Sequence, residues 1–176
     1  MEFPFESLPD RSVIVANLPY NISTPLLFRL LDARERIDRM VLMLQTEVAR
    51  RLVARPGGRD YGILSVLAQY SAIPSLAFQV AASCFRPRPE VGSAVVRLVM
   101  QKERSLRVAD EALFVRTVRA AFAHRRKTLL NSLRDEGLGT ETVAPALARV
   151  GIAPSRRAET LALEEFAALA DALSKS

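Results

Sequence analysis

The apolar run Val13-Ile14-Val15-Ala16 leads straight into Asn17-Leu18-Pro19-Tyr20. A short unbroken apolar run rich in β-branched residues predicts a buried parallel strand over 12–16. The four residues after it predict a tight loop at the strand's carboxyl end. Parallel strands need long crossover connections, usually helical, so this stretch restricts its half of the chain to an α/β arrangement. In open α/β sheets ligands bind beyond the carboxyl ends of the strands. An amide, a Pro-fixed backbone and an aromatic ring gathered there suit a flat, hydrogen-bonding substrate such as a nucleobase.

The alternation of strand and helix continues downstream. Ser23 or Thr24 is the expected cap of a helix with Pro25 in its first turn, and Leu26, Leu27, Leu30 and Leu31 form its apolar face. Residues 39–45 predict a second strand, Thr46 to about Ala54 a helix, 55–59 a turn, and 61–72 a further helix that Pro74 breaks. Strands are expected over 75–85 and 93–100. Between them Phe85-Arg-Pro-Arg-Pro-Glu-Val-Gly92 should run extended and stiff, because alternating prolines cannot enter a sheet interior.

Near residues 101–107 the pattern changes. Downstream, 110–124, 127–134, 142–150 and 163–174 all read as helices, punctuated by Gly137, Gly139, Gly151 and Pro154. The expected organisation is an α/β domain over 1–105 and a small all-α domain over 106–176. There is no internal repeat.

Composition narrows the chemistry. A net charge of +6 and a pI near 10.2 lean toward an anionic partner. Cys84 is the single cysteine and His124 the single histidine. An intramolecular disulfide and a cysteine-based zinc site are excluded, and Ser-His or Cys-His catalysis and histidine-clustered metal sites have little to build on. No apolar run reaches the length of a membrane span, and the start lacks a basic-then-apolar leader pattern, so no membrane partner and a cytoplasmic setting are expected.

Three stretches carry candidate chemistry. The exocyclic amine of adenine is a poor nucleophile because its lone pair is delocalised into the ring. The Asn17 side-chain oxygen and the Leu18 carbonyl, its direction fixed by Pro19, are the acceptors that would localise that pair. Tyr20 would stack on the base, an interaction worth roughly 1–3 kcal/mol. On this stretch alone, a plain strand-ending turn with Asn and Pro in their usual places is an even alternative. Phe85, braced by Pro87 and Pro89, would cover the other face of a flipped base. The third stretch, Arg116 to Arg134, holds Arg116, Arg119, Arg125, Arg126 and Lys127 with no acid among them, and adds Phe122 and Asn131. It reads as a phosphate-tracking surface, against the blander reading of a solvated helix face balanced by Asp135 and Glu136. His124 reads as a surface residue, Cys84 as a packed core thiol, and Glu47 and Asp60 as surface charges.

These residues resemble the KsgA-type rRNA adenine dimethyltransferases. The likeness rests on V-A-N-L-P-Y-N-I-S-T-P at 15–25, Y-G-I-L-S-V-L at 61–67, F-R-P-R-P-E-V-G-S-A-V-V at 85–96, A-F-A-H-R-R-K-T-L-L-N-S-L at 121–133 and R-A-E-T-L-A-L-E-E-F at 157–166. The resemblance implies transfer of methyl groups from S-adenosylmethionine to two adjacent adenosines of small-subunit (16S) rRNA during ribosome assembly. Its partners would be that rRNA and the immature 30S subunit. It implies that Asn17, Leu18, Pro19 and Tyr20 hold the target amine, that Phe85 stacks on the base, and that the helical domain docks on RNA.

The family opens with a glycine-rich loop after its first strand, followed by acidic residues for the donor. None is present in these 176 residues. The expectation is therefore a partial Rossmann-like class I methyltransferase sheet without its first three strands, with Asn17 as part of an incomplete donor site. The chain alone is expected to be inactive, and 12–16 would form an exposed apolar edge open to self-association. Ala162 stands where the family often has a capping Ser. The competing reading is a non-catalytic RNA-binding or ribosome-assembly module; a weaker third is an adenine-specific DNA methyltransferase.

Overall fold

The computed structural model describes residues 4–101 and 106–174. They form two compact units, Met1–Val53 with Ser71–Arg104, and Ala54–Tyr70 with Ser105–Ser176.

The first unit is built on a four-stranded sheet. Strands β1 (Ser12–Asn17), β2 (Ile37–Gln45), β3 (Ala72–Val80) and β4 (Ser93–Met100) lie in the order β1-β2-β4-β3. β1 runs parallel to β2 and is joined to it through helix α1 (Ser23–Asp32). β4 is antiparallel to both β2 and β3. The sheet is the mixed α/β arrangement expected for part of a Rossmann-like methyltransferase.

Alternate residues divide the sheet into two faces. Met40, Leu42 and Leu44 of β2 pair with Leu98, Val96 and Ala94 of β4, and all six are buried. They share the core of this unit with Leu27, Leu30 and Leu31 of α1 and Val48 and Leu52 of α2 (Thr46–Val53). Each fully buried aliphatic side chain stabilises the fold by about 1.5–3 kcal/mol. The other face carries Val41, Met43, Val95 and Val99 half-buried, with Arg39 and Arg97 exposed.

This one-sided burial corrects the expectation of a buried β1 and agrees with the expectation that 12–16 forms an exposed apolar edge. It is parallel, but it is not buried. Val13 and Val15 point to the open face and are 48% and 76% exposed. The reason is that β1 pairs with β2 alone among the described residues, so it forms a border of the sheet.

The second border, β3, differs from its expected bounds. Helix α3 (Ile63–Ser71) ends before Pro74, and Pro74 lies inside β3, opposite Leu98. A border strand tolerates proline because the missing N–H can face away from the ladder. β3 also ends at Val80, so Cys84 and Phe85 are not on a strand. Ala82–Cys84 is instead a 3-10 turn, and Cys84 is exposed rather than packed in a core.

The second unit is helical, with α4 (Glu111–Phe122), α5 (Leu129–Leu133), α6 (Thr140–Arg149) and α7 (Leu163–Leu173). Asp110 and Thr128 cap α4 and α5 through their side chains. Gly137, at φ 80°, turns the chain between α5 and α6, a left-handed conformation that glycine adopts without strain. Phe114, Val118, Leu129, Leu133, Leu147, Leu161 and Phe166 are fully buried. Residues 54–70 pack here rather than with the sheet. Tyr70 meets Phe114 at 4.6 Å between ring centroids, and Tyr61 meets Phe122 edge-on at 6.1 Å. The expected boundary near residue 105 lies outside the described residues.

Candidate functional site

The strand registers gather the candidate residues at one end of the sheet. Asn17 ends β1 opposite Met43, near the end of β2. Gln45, the last residue of β2, pairs with Ser93, the first of β4, and Ser93 pairs with Val80, the last of β3. The 18–22 loop, the start of α2 and the 81–92 loop therefore share one rim.

The Asn17 to Tyr20 loop is held from below. The Leu18 side chain is buried, and its N–H donates to the Met43 carbonyl at 3.1 Å. The Pro19 carbonyl accepts from the Ile22 N–H at 3.2 Å, and the Tyr20 carbonyl accepts from the Ser23 hydroxyl at 3.2 Å. Ser23 therefore closes this loop and does not cap α1, whose N-cap is Ile22. Two acceptors remain without a partner among the described residues: the Leu18 carbonyl and the exposed Asn17 amide. They are consecutive in the chain, and neither is used to hold the fold.

The Tyr20 ring is half-buried and fixed at its far end. Its hydroxyl lies 2.6 Å from the Ser93 hydroxyl, and Ser93 itself is buried. The Thr46 N–H donates to the Gly92 carbonyl at 3.0 Å and secures the start of β4 beside it. Sequence reasoning missed Ser93 and Gly92. A serine opening a strand gives no sign of which distant hydroxyl it will meet.

Phe85 is half-buried on the same rim, just after the 3-10 turn, with an extended backbone. Its N–H donates to the Ala82 carbonyl at 3.3 Å. The following Arg86–Pro87 bond is cis. Neither Tyr20 nor Phe85 stacks on another aromatic ring among the described residues.

The basic stretch is less uniform than the sequence reads. Arg116 and Arg119 are exposed one turn apart on α4 and, with Val115 and Glu136, line a shallow depression of about 340 Å³. Arg116 Nη2 donates to the Gly137 carbonyl at 3.4 Å. Lys127 forms an ion pair with Asp135, and Arg134 Nε lies 3.5 Å from the same carboxylate. The hydrogen bond from Lys127 holds the Asp135 carboxyl below its ordinary range. His124 Nε2 is 3.1 Å from Glu136. Acids just beyond the run thus fold back onto part of it. Arg125 and Arg126 stay exposed without an acidic partner among the described residues. Asn131 is half-buried on α5, with its backbone N–H on Thr128 Oγ1.

A second group stiffens the start of α7. Arg156 pairs with Glu165, and Glu165 Oε2 accepts the Ala162 N–H at 2.8 Å. Ala162 has no side-chain acceptor to return that bond, so half of a capping box remains. The Arg156 hydrogen bond holds the Glu165 carboxyl below its usual value. Burial, and then Glu164 and Glu165, push the Tyr61 hydroxyl up to about 12. Glu47 is an exposed charge paired with Arg51. Among the described residues no His, Cys, Asp or Glu group is arranged to hold a metal ion, and no helix is long and apolar enough to cross a membrane.

Comparison with known proteins places this geometry in context. The family model described as ribosomal RNA adenine dimethylase matches residues 3–175. The chain is 50% identical to "Ribosomal RNA small subunit methyltransferase A" of Moorella thermoacetica over 91% of its own length and 56% of that protein's. It is 49% identical to the protein of the same name in Myxococcus xanthus, over 94% of this chain and 59% of the relative. Among solved structures, a dimethyladenosine transferase from Plasmodium falciparum superposes with a TM-score of 0.77 at 25% identity, covering 92% of this chain and 66% of that one. The 23S rRNA methyltransferase ErmE shares the fold, with a TM-score of 0.67 at 24% identity over 97% of this chain. The chain spans a little over half the length of the curated relatives it matches.

Proposed function

The chain belongs to the ribosomal RNA adenine dimethylase family, and on that premise we propose that it supplies the base-holding rim and RNA-docking surface of a small-subunit rRNA adenine dimethyltransferase. The reaction is methylation of two adjacent adenosines, with the immature 30S subunit as the working partner. The observation that carries this reading is the pair of unpartnered acceptors, the Asn17 amide and the Leu18 carbonyl, beside a Tyr20 ring anchored by Ser93.

The chemistry follows from those atoms. Two acceptors on the adenine amine draw its protons out of the ring plane and localise the nitrogen lone pair. Tyr20 stacks on one face of the extruded base and Phe85 on the other. The amine nitrogen would take the methyl group in line as the donor's carbon–sulfur bond breaks, the donor leaving as a neutral thioether and the amine shedding one proton to solvent; positioning and acceptor placement supply the catalysis. S-adenosylmethionine, the methyl donor of such methyltransferases, supplies an electrophilic methyl group. Asn17, at the carboxyl end of β1, is the one residue assigned to the donor side. No glycine-rich strand-to-helix turn occurs among the described residues, so the residues present fit the acceptor side of the reaction and not the donor's full outline.

Two consequences follow for the 176 residues as they stand. Alone, they bind RNA but do not transfer methyl groups. The bare β1 border, with Val13 and Val15 on its open face, provides a route to self-association. The test is methyl transfer to a small-subunit rRNA hairpin by these 176 residues alone, and by the same residues supplemented with the part of the relatives' length that they do not match. Transfer only after supplementation supports the proposal. Saturable S-adenosylmethionine binding by the 176 residues alone refutes the inactivity. RNA binding with no transfer in either arm favours the non-catalytic assembly module.

A further inference from the structure

We propose that the connection between α2 and α3 is a second RNA-backbone contact of the helical unit, in which Arg55 and Arg59 extend the phosphate-binding surface begun by Arg125 and Arg126. The inference rests on the RNA-docking reading above and adds residues that the linear run of basic side chains does not contain.

The two segments are far apart in sequence and adjacent in the fold. Arg125 Nη2 donates to the Arg59 carbonyl at 3.2 Å across 66 positions. That bond places the turn after α4 against the 54–62 connection, and both lie in the same compact unit. Arg55, Arg59, Arg125 and Arg126 are all exposed.

The connection is also held rigidly. Gln69 Nε2 donates to the Ala54 carbonyl at 2.8 Å, the Gly57 N–H to the Glu159 carbonyl at 2.6 Å, and the Tyr61 N–H to the Gly58 carbonyl at 3.2 Å. Gly57 has φ 82°, a turn conformation that brings its N–H to that carbonyl without strain. The buried Tyr61 ring closes the segment against Phe122, which in turn packs on Phe166. Arginines on such a loop are presented from a fixed backbone, so little ordering entropy is lost when a phosphate binds.

Charge distinguishes this cluster from the other basic residues of the unit. Lys127 and Arg134 share Asp135, Arg156 is committed to Glu165, and Arg157 lies 4.0 Å from Glu159. None of Arg55, Arg59, Arg125 and Arg126 has an ion-pair partner among the described residues, and the neighbouring Asp60 pairs with none of them. Four uncompensated guanidinium groups on one rigid surface suit consecutive phosphates of an RNA strand, whose oxygens their planar forks match.

The experiment measures binding of a transcribed small-subunit rRNA hairpin to the full chain by fluorescence anisotropy between about 50 and 200 mM salt. The variants are R55A/R59A, R125A/R126A and, as a control on the sheet unit, Arg36→Ala. Replacing Arg59 by Ala keeps the carbonyl that Arg125 uses, so the turn stays docked. Each lost phosphate contact lowers the slope of log K against log salt by about 0.7–0.9. R55A/R59A is expected to flatten the slope by about 1.5 and weaken binding several-fold, with the thermal midpoint unchanged; the Arg→Gln pair repeats the test if the alanine pair is destabilised. A slope unchanged in R55A/R59A but lowered in R125A/R126A overturns this inference and leaves the RNA-docking reading intact. A slope unchanged in both overturns both.

Discussion

The hydroxyls of Tyr20 and Ser93 lie 2.6 Å apart across 73 positions of sequence, and this one contact ties the Asn17–Tyr20 loop to the first residue of β4. It fixes the direction of an aromatic ring that would otherwise swing about its own side-chain torsions. Tyr20→Phe should leave the buried Ser93 hydroxyl unsatisfied and lower stability by about 1–3 kcal/mol. Ser93→Ala should lower it less, by roughly 0.5–1.5 kcal/mol. Urea midpoints at constant slope check both.

Tyr20→Ala tests the stacking role proposed for this ring. A hairpin carrying 2-aminopurine at the target position should bind about one to two decades more weakly, with less quenching of the fluorophore, in line with roughly 1–3 kcal/mol per stacked base. Undiminished quenching would take the base off this ring.

Asn17→Ala should separate chemistry from folding. The amide is exposed and supports no other side chain, so the thermal midpoint should move little. With the complementary segment supplied, methyl transfer should fall by at least about two decades if the amide holds the amine in the transition state. A loss confined to RNA affinity would make Asn17 a docking residue only.

Tyr61 should contribute to the alkaline limb of stability. Its hydroxyl is pushed up to about 12 by burial and by Glu164 and Glu165, whereas an unfolded tyrosine ionises near 10. Above pH 10 the unfolded chain loses this proton while the folded chain keeps it, so stability should fall from pH 10 to 12. Tyr61→Phe should remove that part of the decline. At the acid end the sign reverses: Glu165 is held below its ordinary value by Arg156, so its contribution is present above the unfolded carboxylate pKa and is lost as pH falls through the depressed folded value. Glu165→Gln should flatten that limb in urea titrations.

Val15→Lys tests the bare border. Val15 is 76% exposed on the sheet's open face, and a charge there should abolish any concentration-dependent association seen by sedimentation velocity without lowering the thermal midpoint. Association that survives the charge runs through another surface.

Strand and helix identities were legible because periodicity and turn residues act locally. β4 over Ser93–Met100 and the cap-to-end span of α4 emerge from the sequence almost residue for residue. What stayed hidden depends on distance partners. Pro74 reads as a helix breaker, yet on a border strand its missing N–H disturbs nothing. The apolar spelling of β1 speaks for burial, and only the family resemblance pointed to an exposed edge, because a strand's own residues do not say how many neighbours it has. The basic run reads as unbroken because Asp135 and Glu136 lie beyond it, and only the turn at Gly137 shows where they return. The Asn17 and Leu18 acceptors were readable in kind from N-L-P-Y; the hydroxyl that steadies their neighbour was not.

The two borders of the sheet are not equivalent. Along β3, Pro74 offers no N–H and the register slips between Leu76 and Phe78, so a strand arriving there finds an interrupted ladder. Along β1 the ladder is clean beyond Val13. Any strand addition through β1 would therefore be one-sided, closing as a pair rather than extending into a fibril.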